Sequence, residues 1–560
     1  MHEHTGSPAA AEHKPAAGDD TSRGNLPTPG AKQSGGEKRA RKAVVGSVAS
    51  ALLVLAGAGA VVVAGSALPP VESSRTVPPA AAAVPAGASQ GVCAGPARLL
   101  EGTQAGTDPQ FSPESATAAT SVTGAVLSAA GVLPPSRLAG LDGRTTVELA
   151  KAGDKAAAEQ RAQNLLAGVV AARPVTGPSV LTADPLANQQ ASAAGAMKFS
   201  ATDGDLQGSA AANCLRPSND QWLAGASTTV GRTSVLVLTN ASSTPATVSL
   251  ELFGKAGRIQ APGSRGLLVA PKTTRSVVLA GLAPAEAQLA VHVRSTGGPV
   301  AAVIQQSTLR GLTPGGLDFI APGAAPAVRQ VMPGVDIQDP AGIESLLENT
   351  GYEDAGPVLQ LTVPGPSDAV VEVKLLGRDG EKTLPAGGVV TAKAGAVTEV
   401  SLAGVPAGQY TVSASSDVSF VATARMGRGL KAGTASDMAW APSGLRLGSQ
   451  HVVPVPPGGT RRLVFGVLDT RATITYAAIT ADGKVHAPES ADIAGGTTAA
   501  VTVAEKVAGS GVVGYVVSAS GDAAYGSVVI YGADGRNDIS ALGLLPAAAG
   551  QETVPVRVGY

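Results

Sequence analysis

The feature that most limits the fold of this chain is a long internal repeat. Leu252–Arg258 recurs as Leu375–Glu381, and Val278–Ala283 recurs as Ser401–Pro406. Both matches have the same offset of 123 residues, for example from position 257 to position 380. Two chance matches would rarely have the same offset. A unit of this length is too long for a solenoid repeat and long enough to bury a core of its own.

A third copy follows the first two. Ile479–Lys484 matches the first motif again, and Val412–Ser415 reappears as Val517–Ser520. The offsets to this copy are shorter than the first one, as expected when loops differ in length. The chain therefore contains three related units in its C-terminal part.

Each unit has the sequence pattern of short β-strands. Val235–Leu238, Thr247–Leu252 and Val370–Leu375 alternate between apolar and polar residues or consist of β-formers. The composition agrees, because aromatic residues make up 3%, charged residues make up 15%, and the chain has 71 glycines and 40 prolines. Units of roughly 80–110 residues with such strands predict immunoglobulin-like sandwiches.

An apolar segment precedes the repeats and predicts a membrane span. Residues 43–65 carry no charge and, at about 1.5 Å per residue, are long enough to cross a hydrocarbon core of about 30 Å. Lys38, Arg39, Arg41 and Lys42 lie directly before it, so the positive-inside rule leaves the N-terminus in the cytoplasm. A cleaved signal peptide is the alternative, although the run is longer than a typical signal core.

The two cysteines of the chain both follow the apolar segment. Cys93 and Cys214 enclose a region that we expect to be a membrane-proximal, β-rich domain. An exported pair favours a disulfide, and two unrelated buried thiols are the alternative.

The exported part shows no pattern of a catalytic or metal site. Its histidines, His292, His451 and His486, fall in different copies or in a joint, without metal-ligand spacing. His292 stands in an alternating stretch, and we expect it to face solvent. Gly87–Gly91 matches a nucleophile-elbow pattern, but its proline- and alanine-rich surroundings indicate a chance match. No catalytic, cofactor-binding or metal-binding residue is predicted.

Two tryptophans and a recurring aspartate are the remaining candidates for contacts. Exposed, Trp222 and Trp440 would stack on sugars; buried, they would fill the interface between neighbouring sandwiches, which is the interpretation we prefer. Asp318, Asp437 and Asp538 stand at proline- and glycine-rich joints after the copies. We interpret them as turn caps, with calcium binding between domains as the alternative.

The arrangement of these segments resembles an uncharacterised actinobacterial family of single-pass envelope proteins with a domain of unknown function. The resemblance rests on the basic cluster, the apolar span, the early cysteine, Trp222–Gly225, Thr239–Ser242, Val300–Ser307 and Gly311–Pro314. It implies no activity and no catalytic residues. Genes of that family often lie beside a glycosyltransferase gene, which implies a link to cell-wall polysaccharide.

These observations predict a mainly β protein with one transmembrane helix followed by tandem immunoglobulin-like β-sandwich domains. The expected order is a disordered cytoplasmic tail, the transmembrane helix, a Pro/Ala-rich stalk, a disulfide-closed domain, and sandwich repeats 1, 2 and 3. Their ranges are 1–42, 43–65, 66–92, 93–217, 218–325, 326–443 and 444–560, respectively.

The expected function is a non-enzymatic structural or scaffolding role in the cell envelope, with residues after 65 outside the cytoplasm. The alternative is a carbohydrate-binding ectodomain that supports cell-wall polysaccharide assembly, and a hydrolase with an unrecognised carboxylate pair is third. The expected partners are the lipid bilayer, through residues 43–65, and envelope proteins or wall glycan. A net charge of −1 gives no indication of nucleic-acid binding.

Overall fold

The computed structural model describes residues 80–83, 85–99, 115–129, 131–151, 165–385, 387–548 and 553–556. Residues 80–560 form one compact unit. No helix within the described ranges is long and apolar enough to cross a membrane. The predicted span at residues 43–65 and the predicted tail at residues 1–42 lie outside the described residues.

The protein is mainly β, and the region enclosed by the cysteines is itself a two-sheet sandwich. We call it the N-terminal sandwich; its first strand, like strand β1, begins within the predicted stalk. Its elements, after β1 (Ala80–Ala83), are β2 (Ser89–Cys93), β3 (Ala119–Leu127), β4 (Ser136–Gly140), β5 (Thr145–Ala150), β6 (Ala167–Pro174), β7 (Ser179–Ala183), β8 (Ala193–Ala201) and β9 (Gly208–Asn213). Its sheets have the strand orders β2-β7-β4-β5 and β6-β3-β8-β9.

Repeat 1 has the same arrangement. Its strands are β10 (Asp220–Ala226), β11 (Arg232–Asn240), β12 (Ala246–Gly254), β13 (Gly257–Ile259), β14 (Leu267–Val269), β15 (Thr273–Val278), β16 (Leu289–Gly297), β17 (Ala301–Arg310) and β18 (Thr313–Ile320), with a 3₁₀ turn at Leu279–Gly281. Its sheets have the orders β10-β16-β12-β13, with β14 also on β12, and β15-β11-β17-β18.

Repeat 2 fuses its sixth and seventh strands into one. Its elements are β19 (Ala327–Ile337), α1 (Pro340–Leu347), β20 (Val358–Thr362), β21 (Ala369–Gly377), β22 (Gly380–Lys382), β23 (Val389–Ala392), β24 (Val397–Ser401), β25 (Gly408–Arg428) and β26 (Asp437–Pro442). The first half of β25 pairs with β19 and β21, and its second half pairs with β20 and β26. This 21-residue strand therefore runs through both sheets.

Repeat 3 returns to separate strands. They are β27 (His451–Pro454), β28 (Arg461–Val467), β29 (Arg471–Thr480), β30 (Glu489–Ala494), β31 (Thr497–Thr502), β32 (Lys506–Val507), β33 (Ser510–Gly521), β34 (Ala524–Tyr531) and β35 (Ile539–Gly543). The sheets have the orders β27-β33-β29-β30 and β31-β28-β34-β35. Beyond it, β36 (Thr553–Val556) pairs with β1 in antiparallel fashion.

All four sandwiches share one topology. Leaving aside the short extra strands, the first, sixth, third and fourth strands form one sheet, and the fifth, second, seventh and eighth form the other. The pairs of strands 2 with 5 and 3 with 6 match an immunoglobulin sandwich. The first and seventh strands each lie in the opposite sheet from their position in an immunoglobulin sandwich, because strand 1 pairs with strand 6 and strand 7 pairs with strand 2. The N-terminal sandwich is thus a fourth copy that the sequence comparison missed.

The four sandwiches close into a ring. At each contact, apolar side chains of one sandwich enter the buried core of the next, and the N-terminal sandwich contacts repeat 3 as well as repeat 1. Repeat 1 supplies Val303, Leu317 and Phe319 to the core of the N-terminal sandwich, and repeat 2 supplies Val358 and Trp440 to the core of repeat 1. Repeat 3 supplies Val464, Val529, Ile539 and Ala541 to the core of repeat 2. The N-terminal sandwich supplies Ala196 and Ala211 to the core of repeat 3. Because burial of apolar area is the main favourable term in folding, these shared cores join the sandwiches into one body.

Candidate functional site

The eighth strands of the four sandwiches meet at the centre of the ring, around the carboxylate of Asp437. This side chain belongs to repeat 2 and is 3% exposed. It accepts hydrogen bonds from the backbone N–H groups of Ser209, Leu317 and Ile539, each at 3.0 Å. These donors lie in β9, β18 and β35, so one carboxylate joins all four sandwiches. We call this contact the central junction.

Two glycines let the neighbouring backbones approach Asp437. A Cβ atom on Gly208 or on Gly316 would lie 2.9 Å from Oδ1 of the carboxylate. Both residues have positive φ, at 144° and 115°, where L side chains are disfavoured. Burial raises the pKa of Asp437 well above its usual value, and the N–H donors oppose that shift.

Asp318, the matching aspartate of repeat 1, is also fully buried at this junction. Its Oδ2 accepts the backbone N–H of Trp440 at 2.7 Å, whereas Oδ1 has no hydrogen-bond partner among the described residues. Burial raises the pKa of Asp318 to about 7. The turn-cap interpretation of Asp318 and Asp437 is therefore wrong, because both carboxylates bind backbone of other sandwiches. The described residues contain no group of three or more His, Cys, Asp or Glu side chains that could hold a metal ion.

Trp440 fills the contact between repeats 1 and 2. Its indole is 3% exposed and packs in the core of repeat 1, although the residue belongs to β26 of repeat 2. The ring lies so close to Gly225 that a Cβ there would be 2.6 Å from an indole carbon. The guanidinium of Arg425 stacks over the indole at 5.6 Å and donates to the carbonyl oxygen of Gly356 at 3.0 Å.

Trp222 lies on the other side of the same contact. It is 6% exposed and packs with Phe253 of repeat 1 and Val397 and Val421 of repeat 2. Its indole stacks on the imidazole of His292, with ring centres 4.0 Å apart. The structure thus places Trp222 and Trp440 at one interface between sandwiches.

The expectation that His292 faces solvent is wrong. The residue is 8% exposed, because Trp222 covers its ring. Nε2 lies 3.0 Å from Oδ1 of Asp220, and Nδ1 lies 3.3 Å from Oε2 of Glu251. An alternating strand pattern did not reveal this, because the neighbouring tryptophan lies on β10, which pairs with His292 across the sheet.

A charged cluster completes the contact between repeats 1 and 2. Asp354 of repeat 2 binds the guanidinium groups of Arg232 and Arg310, which belong to repeat 1; its distance to Nη1 of Arg310 is 2.6 Å. Both arginines are about nine-tenths buried, with side chains 10% and 8% exposed. Arg310 also stacks over the ring of Tyr352 at 4.7 Å. A single carboxylate therefore pairs with two buried cations across the interface, and no sequence pattern indicated this cluster.

The disulfide predicted from the cysteine count is present. Cys93 at the end of β2 is bonded to Cys214 directly after β9, 121 residues later, and both are buried. A Cβ on Gly195 would lie 3.1 Å from the sulfur of Cys214, so the bond occupies the space a side chain would take. The disulfide holds the first strand of the N-terminal sandwich beside the eighth, which leads to the central junction.

The other two histidines among the described residues have structural contacts. Nδ1 of His451 lies 2.8 Å from the carbonyl oxygen of Leu545, and its Nε2 accepts the N–H of Gly448. Nε2 of His486 lies 3.0 Å from the hydroxyl of Thr480. Every tryptophan, tyrosine and phenylalanine in the described part of the chain is buried or half-buried. The described surface thus offers no aromatic platform for stacking on a sugar.

Comparison with known proteins identifies a family but no activity. A model described as a family of unknown function, DUF5719, matches residues 169–504. This range covers the second half of the N-terminal sandwich, repeats 1 and 2, and the first half of repeat 3, through β31. No curated protein and no solved structure matches the chain.

Proposed function

Since the chain belongs to DUF5719, a family of unknown function, we propose from its own geometry that it is a non-enzymatic scaffold of the cell envelope. In this proposal residues 43–65 anchor it in the membrane, and the ring presents the outer surfaces of four sandwiches to envelope proteins. The observation that carries the proposal is the central junction. A buried carboxylate bound by three other sandwiches favours a rigid body over a flexible string of domains.

Rigidity suits a scaffold, because a pre-organised surface loses little conformational entropy when a partner binds. Domains joined only by linkers move relative to one another by default. Here, cores shared between neighbours and the Asp437 contacts oppose such motion.

The disulfide supports the proposed location. Disulfides persist in oxidising compartments and are rare in the cytosol. Cys93–Cys214 lies after the apolar segment, and the basic cluster before that segment favours a cytoplasmic N-terminus. We therefore propose that residues 66–560 lie on the extracytoplasmic side of the membrane, in an actinobacterial envelope as the sequence resemblance implies.

Glycan binding, the alternative, is less favoured. The stacking that it would use is not available from Trp222 or Trp440, which are both buried. We therefore retain the scaffold as the proposal and wall glycan as a ligand to be tested against it.

The location is tested with the full-length chain carrying a C-terminal epitope. Cells are fractionated, and intact cells are treated with protease. We expect the chain in the membrane fraction and its epitope digested from outside. A soluble chain, or an epitope that survives until the cells are lysed, would contradict the anchored topology.

The scaffold role is tested by cross-linking in living cells. The wild type is compared with Asp437→Ala, which opens the central junction, and with Asp379→Asn, an exposed turn substitution. Cross-links to specific envelope proteins should appear in the wild type and in Asp379→Asn and be lost in Asp437→Ala at equal membrane abundance. Cross-links to wall glycan alone would favour the alternative function instead.

A further inference from the structure

A cavity of about 450 Å³ lies where the ring closes, between the N-terminal sandwich and repeat 3. One wall is formed by Thr123 and by Ala171–Ala172. The facing wall is formed by Ala481 and by three segments of repeat 3, within Val455–Arg461, Thr502–Lys506 and Gly511–Val513. Cavities of roughly 300–1,000 Å³ are typical of small-molecule sites.

Arg461 lies in this cavity wall and forms no ion pair with any described residue. It is 5% exposed, and its Nε has no hydrogen-bond partner among the described residues. Arg232 and Arg310 share Asp354, whereas no ion pair found in the described ranges includes Arg461. Burial accordingly lowers the pKa of its guanidinium. The phenol of Tyr515 and the charge of Glu505 offset this burial only in part. A buried guanidinium that no carboxylate contacts is unfavourable for folding, which points to a role outside the fold.

The opposite wall has a second unpartnered group. The hydroxyl of Thr123 is buried, at 1% exposure of the residue, and finds no partner among the described residues. Thr123 stands where the pairing of β3 with β6 shifts register, so that Ala171 and Ala172 together oppose it. Ala172 has a φ of 45°, a conformation that alanine rarely adopts. Bulges and strained residues are frequent beside binding sites.

The remaining lining defines the chemistry of a ligand. Val455, Val503, Val512 and Val513 make much of the surface apolar. At the rim, the exposed Glu505 and Lys506 carry opposite charges. Lys198 contacts the loop that carries Pro457, since its Nζ donates to the carbonyl oxygen of Pro457 at 3.1 Å. The lining of the cavity therefore combines the guanidinium of Arg461 with a largely apolar surface, and Thr123 adds a buried hydroxyl without a partner among the described residues.

We propose that this cavity binds a small organic anion, with its carboxylate or phosphate on Arg461 and its apolar body against the valines. The ligand would bridge the N-terminal sandwich and repeat 3, where the ring closes. An arginine guanidinium pairs with either anionic group through two parallel hydrogen bonds. The proposal does not depend on the scaffold function, because the site is formed by residues that the central junction does not use.

Calorimetric titration of the full-length chain in lipid nanodiscs tests the site. The probes are butyrate, butyl phosphate, inorganic phosphate and uncharged butanol. We expect one of the two organic anions to bind more tightly than inorganic phosphate, and butanol not to bind. Which anion binds distinguishes a carboxylate ligand from a phosphate ligand. Failure of both organic anions, or equal binding of butanol, would overturn the proposal.

Three variants separate a binding role of Arg461 from a structural one. Arg461→Gln should weaken anion binding by about tenfold or more and raise the melting temperature without ligand, because an unpaired buried charge is removed. Thr123→Val should weaken binding while the chain stays folded. Arg471→Gln, an exposed arginine of the same repeat, should change neither property. A lower melting temperature in Arg461→Gln, or unchanged anion affinity in Thr123→Val, would show that these residues serve the fold.

Discussion

The carboxylate of Asp437 accepts a hydrogen bond from the backbone N–H of Ser209, 228 residues earlier in the chain, at 3.0 Å. The two residues belong to sandwiches that are not consecutive, and the bond lies at the centre of the ring. Ser209 is also contacted by Ser540, whose hydroxyl donates to its carbonyl oxygen at 2.7 Å. The first and last sandwiches thus meet repeat 2 at one point.

Asp437→Ala should strongly destabilise the protein. The substitution leaves the buried N–H groups of Ser209, Leu317 and Ile539 without their acceptor, and an unsatisfied buried donor costs about 1–3 kcal/mol. We expect the free energy of unfolding to fall by about 3–5 kcal/mol, as measured by urea denaturation. A loss below about 1 kcal/mol would mean that the central junction contributes little.

Asp318→Asn should change the dependence of stability on pH. The pKa of Asp318 is about 7 in the folded chain and about 4 in the unfolded one, so folding favours the protonated form. Its stabilising contribution is complete below about pH 4 and is lost as pH rises through about 7. Asparagine stays neutral and keeps an acceptor for the N–H of Trp440. The free energy of unfolding of the variant minus that of the wild type should therefore be larger at pH 8 than at pH 4, by on the order of 2–4 kcal/mol.

Denaturation of both chains across this pH range measures the effect. Asp379→Asn, which replaces an exposed turn aspartate, is the control and should follow the wild type. Parallel curves for Asp318→Asn and wild type would show that folding does not raise the pKa of Asp318.

Gly225→Ala should destabilise the contact between repeats 1 and 2. The new Cβ would lie 2.6 Å from the indole of Trp440, which cannot retreat because it is buried. Gly257→Ala is a matched control, since φ is 119° at Gly225 and 135° at Gly257, but Gly257 has no atom within 4 Å of the added Cβ. Both variants carry the backbone strain, so the difference in their melting temperatures reports the clash. Equal melting temperatures would contradict the close packing of Trp440 on Gly225.

Removal of the disulfide should weaken the N-terminal sandwich. In the chain-entropy model, a loop of 121 residues corresponds to about 4–5 kcal/mol of stabilisation. We expect the double substitution Cys93→Ala and Cys214→Ala to increase hydrogen exchange in β2 and β9 more than in repeat 2. Exchange that rises uniformly over all four sandwiches would instead indicate that the ring unfolds as one unit.

The sequence predicted the strands and the repeats because alternating patterns and matching turns are local. The N-terminal sandwich was not recognised as a fourth copy, since topology can persist after sequence similarity is lost. Helix α1 was not predicted, although Asp339 caps it by accepting the N–H of Gly342 at 2.9 Å and Pro340 occupies its first turn.

The roles of individual site residues were harder to predict. The recurrence of Asp318 and Asp437 was visible, but their partners lie in other sandwiches, and no local pattern encodes such contacts. The unpaired state of Arg461 has the same cause, because it depends on which side chains fail to reach it across the ring closure. The burial of His292 depends on Trp222, which is adjacent only through strand pairing.

Closure of the ring is the central claim, and an engineered disulfide tests it most directly. Leu166 of the N-terminal sandwich and Lys484 of repeat 3 form an antiparallel β-bridge, and the N–H of Ala167 donates to the carbonyl oxygen of Gly483 at 2.9 Å. Directly opposed residues of this kind have Cα atoms about 4.5–5.5 Å apart, within the range of disulfides. The paired substitution Leu166→Cys and Lys484→Cys should therefore oxidise to an intramolecular cross-link.

The cross-link is measured by migration on non-reducing gels and by mass spectrometry of the linked peptides. The control pairs Leu166→Cys with Lys374→Cys, which replaces an exposed lysine of repeat 2 and should leave both added thiols free. Rapid and complete cross-linking of positions 166 and 484 alone is the result that a closed ring predicts. Two free thiols at these positions, in a chain whose Cys93–Cys214 bond has formed, would contradict it.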